Sequence, residues 1–351
     1  MAKEYEFQAF GQPSLYENNE RVFRVYFSEP EGGVNEETGI LLFISGYGAS
    51  PNSKVYKKMR NKFADENNLI TLQCEYLGIK FMTSELSIKL NEFTEKELNL
   101  INLSSQNGCI GNKKVIKTFN ECKSDLNDMG PIQAIDNLIS IVSIIEILKN
   151  NNLRFNKNKI IIYGYSHGAY LAHLCNLFSP NLFSTIIDNS AYVYPKYLKE
   201  DSPRIIYGNI GKLRIETEYR YLINELVFDK EIYDLKKLYS QMTNRCKIIA
   251  FQGLDDELYD YNEKISFIKD INNTKIELIT QDKVDGVVFK STNHGLNADF
   301  IGLFEYVNDK YELEQRNDNW GFADVEYKTS NYTYKIKNDL GVPILSYEKN
   351  K

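Results

Sequence analysis

A serine between two glycines, Gly164-Tyr165-Ser166-His167-Gly168, follows an apolar, β-branched run and precedes a helix-forming stretch. That context suits a nucleophile. A sharp strand-to-helix turn lifts a serine Oγ clear of a sheet, and flanking glycines remove side chains where backbones come closest. The N-terminus of the following helix adds N–H groups beside the reacting oxygen. The chemistry would be attack on a carbonyl, with a nearby base taking the serine proton. The alternative is a tight turn whose serine only caps the helix.

The chain offers three histidines as that base: His167, His173 and His294. In such a turn the side chain of His167 cannot act on the neighbouring Oγ. His173 lies two helical turns further on, roughly 10 Å along the axis, and reads as a packing or surface residue. His294, in Ser291-Thr292-Asn293-His294-Gly295 and ahead of the last helix, remains. Its alternative is a loop histidine with no partner.

The same scarcity bears on cofactors. With three histidines and no Cys-x-x-Cys pair, a His-rich metal site is largely excluded; no metal or cofactor is expected. A net charge of -6 over 351 residues argues against nucleic acid as the main partner. The start, Met-Ala-Lys-Glu-Tyr-Glu, lacks a basic stretch followed by an apolar one, so no signal peptide is visible. The most apolar stretch, residues 138–148, reads as too short to span a bilayer. Five scattered cysteines (Cys74, Cys109, Cys122, Cys175, Cys246) suit free thiols in a reducing compartment. Together these predict a soluble, cytoplasmic protein.

What must position the serine is a sheet. Segments 5–10 and 21–28 read as strands, and continuous apolar runs at 40–45, 69–74, 159–163, 184–187 and 246–251 read as strands buried on both faces. Helical patterns separate them, at 54–66, 131–150 and 167–178, around 265–271, and at about 299–313. The alternation predicts an α/β, doubly wound, mostly parallel sheet. Two polar stretches, 78–127 and 189–244, interrupt it and read as cap or lid insertions. Tyrosines crowd the second (Tyr192, Tyr194, Tyr197, Tyr207, Tyr219, Tyr221, Tyr233, Tyr239) and the loop after 246–251 (Tyr259, Tyr261), either to stack on a ligand or to fill a small core. The tail, 320–351, alternates Tyr with Lys and predicts β-structure added to a sheet edge.

The turn around Ser166, with the helix start Gly130-Pro131-Ile132-Gln133-Ala134, resembles the α/β-hydrolase superfamily of serine esterases and peptidases. The resemblance covers roughly residues 20–315 and implies a hydrolase domain over 1–319 with an extension over 320–351. It places the base at His294. Gly253-Leu254-Asp255-Asp256 resembles the superfamily's acid loop, with Asp256 aligned to the acid. Asp255 next door and Asp188, where some members carry the acid, stay open as alternatives. Ser45-Gly46-Tyr47-Gly48 resembles the family's His-Gly-x-Gly, which implies an oxyanion hole from the backbone N–H groups of Tyr47 and His167. Gly46-x-Gly48 could also begin a dinucleotide fingerprint, but Pro51 stands where the third glycine belongs.

The resemblance implies a serine hydrolase that cleaves a carboxylic ester of a small molecule or glycan through an acyl-enzyme. An O-acyltransferase using the same residues, and a noncatalytic binding protein that keeps the fold, are the competing readings. The chain as a whole is similar to an uncharacterised family from flagellar-modification gene clusters of epsilonproteobacteria. That similarity implies glycan O-acyl chemistry.

Overall fold

Strands covered on both faces bury every side chain, and the apolar runs do so in a computed structural model that describes residues 1–83, 93–103, 108–199, 203–316, 318–338 and 341–351. The strands are β1 (Lys3–Gly11), β2 (Arg21–Glu29), β3 (Gly39–Ile44), β4 (Leu69–Cys74), β5 (Gly111–Thr118), β6 (Ile160–Tyr165), β7 (Thr185–Asn189), β8 (Arg204–Ile210), β9 (Leu213–Arg220), β10 (Lys247–Gly253), β11 (Thr274–Ile279), β12 (Val325–Lys328), β13 (Tyr332–Lys337) and β14 (Ile344–Lys349). Eight of them form one sheet in the order β1-β2-β4-β3-β6-β7-β10-β11. From β4 to β11 every pairing is parallel, while β1 and β2 add antiparallel neighbours at one edge.

Five helices matter for the site: α1 (Lys54–Asn67), α2 (Pro131–Asn150), α3 (His167–Phe178), α4 (Tyr261–Lys269) and α5 (Phe300–Lys310). Alternate residues of the strands feed opposite faces. Ile40, Leu42, Ile160, Ile162 and Ile248 pack with α2, α3 and α4. Leu41, Phe43, Ile161, Tyr163 and Phe251 pack with Phe63 of α1 and with Leu303, Phe304 and Val307 of α5. The sheet is therefore doubly wound, as the run of elements predicts. By length and composition α2 could cross a membrane, which the reading of 138–148 missed; 83% of its apolar window is buried inside this fold.

The two polar stretches meet. β5 from the first pairs in parallel with β9 from the second, and β8 completes a separate three-stranded sheet in the order β5-β9-β8. Its own small core is Phe93, Leu213 and Ile215. Most of the tyrosines of the second stretch do not fill that core: Tyr192, Tyr197, Tyr219, Tyr221, Tyr233 and Tyr239 are buried against the main one, and Tyr207 is exposed.

The C-terminal expectation needs correcting. β12, β13 and β14 extend no edge of the main sheet; they form an antiparallel sheet of their own. Tyr327, Tyr334, Ile336 and Leu345 point into the main core, with Lys335 and Glu348 outside. Alternation of this kind makes a two-faced sheet that needs a surface to lie on, not an edge to pair with. The backbone of Leu345 exchanges two hydrogen bonds of 2.7 Å with the Gln12 side chain, and the Tyr327 hydroxyl donates to the Leu177 carbonyl at the end of α3.

Candidate active site

The end of β6 is shaped by what cannot be there. A Cβ on Gly164 would lie 2.3 Å from the Ala169 Cα, and one on Gly168 would lie 2.1 Å from the Ile44 carbonyl oxygen. Only glycine at both positions lets α3 start hard against β3 and β6. Between them Ser166 adopts φ 53° and ψ −116°, which is costly for a residue with a side chain. Its N–H donates to the Asn189 carbonyl (2.8 Å), and its own carbonyl accepts from Ala169 and Tyr170 N–H. The hydroxyl makes no capping bond to α3. It is free to face outward, and the capping alternative does not describe this turn.

That hydroxyl meets His294. The Nε2 of His294 lies 2.7 Å from Ser166 Oγ, and its Nδ1 lies 2.8 Å from Asp256 Oδ2. A carboxylate only accepts, so Nδ1 carries the ring proton and Nε2 offers its lone pair to the serine O–H. The Asp256 side chain is fully buried and His294 is 15% exposed. Asp256 also accepts from Gln252 Nε2 (2.7 Å) and from the Leu258 and Tyr259 backbone N–H groups (2.9 and 3.1 Å). Burial alone would raise its pKa. The hydrogen bond and charge of His294, with the Leu258 and Gln252 donors, outweigh that and hold the carboxyl below its ordinary value.

The loop bearing His294 is held by further close approaches. A Cβ on Gly253 would lie 2.1 Å from the Thr292 carbonyl oxygen, and one on Gly295 (φ 72°) would lie 2.2 Å from the Tyr165 ring. Asp255 does not approach the histidine. Its N–H donates to the Thr292 carbonyl (2.9 Å) and its carboxylate accepts from the Thr292 hydroxyl (2.5 Å), joining the acid loop to the histidine loop. Asp188 is elsewhere too, buried with His173 (2.9 Å) and Lys264. His173 is thus a packed residue, held between Asp188 and the Tyr239 hydroxyl (3.0 Å).

Tyr47 and His167 stand at the two loops that flank Ser166. Gly46 to Ala49 form a turn closed by Ala49 N–H to the Gly46 carbonyl (3.3 Å), with Gly48 at φ 90°. That is the third-position glycine of a type II turn, which leaves the Tyr47 N–H outside the ring of the turn. His167 N–H heads α3. Among the described residues neither amide has an acceptor. The His167 ring is occupied separately, with Nε2 2.7 Å from Gln133 Oε1 and Nδ1 2.5 Å from the Tyr192 hydroxyl. The Gln133 amide nitrogen donates to Leu77 and Asn127 oxygens. Its oxygen therefore accepts from the imidazole, and Tyr192 donates to Nδ1.

Burial, aided by the Arg204 charge, pushes the His167 pKa down from 6.5 to about 3. Between those values the unfolded chain binds a proton that the folded chain refuses. Stability from this site is complete above pH 6.5 and drains as pH falls towards 3, by up to about 1.4 kcal/mol per pH unit. Urea unfolding of His167→Gln against the parent over that range should show a slope shallower by one proton. Equal slopes would contradict the buried neutral imidazole.

Tyrosines of the acid loop and of the second polar stretch line the site, beside residues such as Tyr165 that the sequence reading passes over. Tyr259 and Tyr165 flank the His294 ring, at 5.7 and 6.3 Å between centroids. Tyr259 stacks on Tyr192, which stacks on Tyr170. Gln252 leaves a trace, as a polar residue inside the apolar run of β10. Gln133 leaves another, on the fully buried first turns of α2. No group of three or more metal-binding side chains occurs among the described residues.

Residues 106–199 match a family described as a protein of unknown function (DUF2920), a span that contains Ser166 but neither Asp256 nor His294. No curated protein matches the chain in sequence. Among solved structures, the peroxisomal α/β-hydrolase Lpx1 of Saccharomyces cerevisiae has a TM-score of 0.51 at 14% identity, over 88% of this chain and 88% of that one. The acylaminoacyl peptidase of Pyrococcus horikoshii has a TM-score of 0.52 at 13% identity, over 91% of this chain but 43% of the peptidase. Est1E from Butyrivibrio proteoclasticus gives 0.48 at 13% identity, over 86% and 97%. The likeness is one of fold: the chain has the α/β-hydrolase fold.

Proposed function

We propose that this protein is a serine hydrolase of carboxylic esters. The observation that carries the proposal is His294 set between Ser166 Oγ and Asp256, with Ser166 in a strained backbone conformation that frees its hydroxyl. In the first half-reaction Ser166 Oγ attacks the ester carbonyl while His294 Nε2 takes the serine proton. Asp256 orients the ring and stabilises its charge. The Tyr47 and His167 N–H groups donate to the oxyanion, which collapses, and His294 returns the proton to the departing alcohol. Water, activated by His294, then cleaves the acyl-enzyme and regenerates the serine.

An acyl sugar fits this chemistry as substrate. A sugar hydroxyl replacing water in the second half would make the same residues an O-acyltransferase; adding an acceptor alcohol and measuring free acid against new ester separates the two. The primary test is a fluorophosphonate probe, which phosphonylates an activated serine. Labelling is expected in the parent and lost in Ser166→Ala. A folded parent that takes no label would favour a noncatalytic binding protein.

A further inference from the structure

Arg204 opens β8, opposite Tyr219 on β9, and lays its guanidinium carbon 3.5 Å from the centroid of the Tyr47 ring. The Tyr47 hydroxyl is hydrogen-bonded to that of Tyr221, and Tyr219 meets the Tyr47 ring edge-on. Tyr197, Tyr221 and Tyr259 lie within electrostatic range of this guanidinium as neutral phenols, and its own charge reaches His167. Arg204 is thus a half-buried cation inside a ring of phenols, one tyrosine side chain away from the Tyr47 amide beside the serine.

It has no anion. Among the described residues no carboxylate forms an ion pair or hydrogen bond with Arg204. Glu121, whose charge also reaches Tyr47, is engaged instead by the backbone N–H groups of Asn127 (2.7 Å) and Leu222 (2.8 Å). Arginines taken out of water are ordinarily paired, because an unpaired buried charge is costly. Burial works against the charge here, and the face of the Tyr47 ring beneath it partly offsets that. With one face covered by Tyr47, the guanidinium keeps its in-plane N–H fork, which matches two oxygens of a carboxylate or phosphate.

We infer that Arg204 binds a second, anionic group of the substrate, so that the preferred ester carries a carboxylate or phosphate a few bonds from its scissile carbonyl. This rests on the hydrolase reading above and adds to it a substrate class and a specificity residue. The fork holds the anion while the carbonyl sits at the Tyr47 amide, so the contact acts mainly on binding.

The test compares anionic and neutral esters within each protein. For the acyl side, para-nitrophenyl hemiglutarate is set against para-nitrophenyl butyrate. For the alcohol side, para-acetoxybenzoate and para-acetoxyphenyl phosphate are set against phenyl acetate, which also distinguishes carboxylate from phosphate. At least one anionic ester should be favoured in kcat/KM by about 10- to 100-fold, chiefly through KM. That ratio should collapse towards one in Arg204→Met and be partly kept in Arg204→Lys. A parent that favours neither anion, or an unchanged ratio in Arg204→Met, overturns the anion site while probe labelling of Ser166 leaves the hydrolase reading standing. Absence of both labelling and turnover on every ester overturns the hydrolase reading itself.

Discussion

His294→Ala should lower kcat/KM for an activated aryl ester by about 10⁴-fold or more, while the protein stays folded. The size of the effect follows from position. Among the described residues no other imidazole can reach Ser166 Oγ: the His167 ring is locked between Gln133 and Tyr192, and His173 is locked between Asp188 and Tyr239. Without a base the serine must attack as a neutral alcohol. The fold should tolerate the change because the loop is held by backbone, not by the ring. Gly295 N–H donates to Ser190 Oγ (3.1 Å), and the Leu296 carbonyl accepts from Lys290 and Ser291 N–H. Steady-state kinetics beside a thermal melt would decide it. Activity within tenfold of the parent, with an unchanged melt, would remove His294 from the mechanism. Asp256→Asn should follow the same pattern with a loss of about 10³- to 10⁴-fold, since an amide cannot hold the ring in the right tautomer.

Asp188→Asn should do the opposite, costing stability by about 3–5 kcal/mol. Asp188 is fully buried and accepts from Lys264 Nζ, His173 Nε2 and the Ala191 N–H. Burial would raise its pKa, but Lys264 and His173 outweigh that and hold the carboxyl below the ordinary range. Lys264 is 2% exposed, and among the described residues no other carboxylate is bonded to it, only the Ala191 carbonyl (3.0 Å). Removing the aspartate therefore strands a buried ammonium group. Urea denaturation of Asp188→Asn, Lys264→Met and the double variant measures this as a cycle. The double variant should recover much of what Asp188→Asn loses. Additive losses would mean the two charges are not coupled.

These two aspartates show how much of the site is legible in the chain. Local signals are strong where one backbone must approach another, as at Gly164, Gly168 and Gly253, because only glycine fits and the pattern is short. The acid loop is legible to within a residue, yet spacing alone does not separate Asp255, Asp256 and Asp188. That separation comes from Thr292 and Lys264, whose proximity is a tertiary fact. The fold is legible where strands are buried on both faces. β11, with Thr274, Lys275 and Glu277 among its apolar residues, lies at an edge and half in water, so it carries no continuous run. β5 and β8 are harder still, because their alternation of exposed and half-buried residues looks like loop until β9 lies beside them. Arg204 leaves no trace at all, since its meaning depends on a ring brought to it by β3.

The small sheet takes one strand from before Ser166 and two from after it, and its parallel β5–β9 pairing closes around α2, β6 and α3. The anion site we infer at Arg204, which opens β8 of this sheet, is consequently not a cassette. A graft from a relative that replaced only one of the two segments would leave β9 without its neighbour or β5 without a place to pair. A change of specificity by recombination must exchange both segments at once, on either side of a core that stays put.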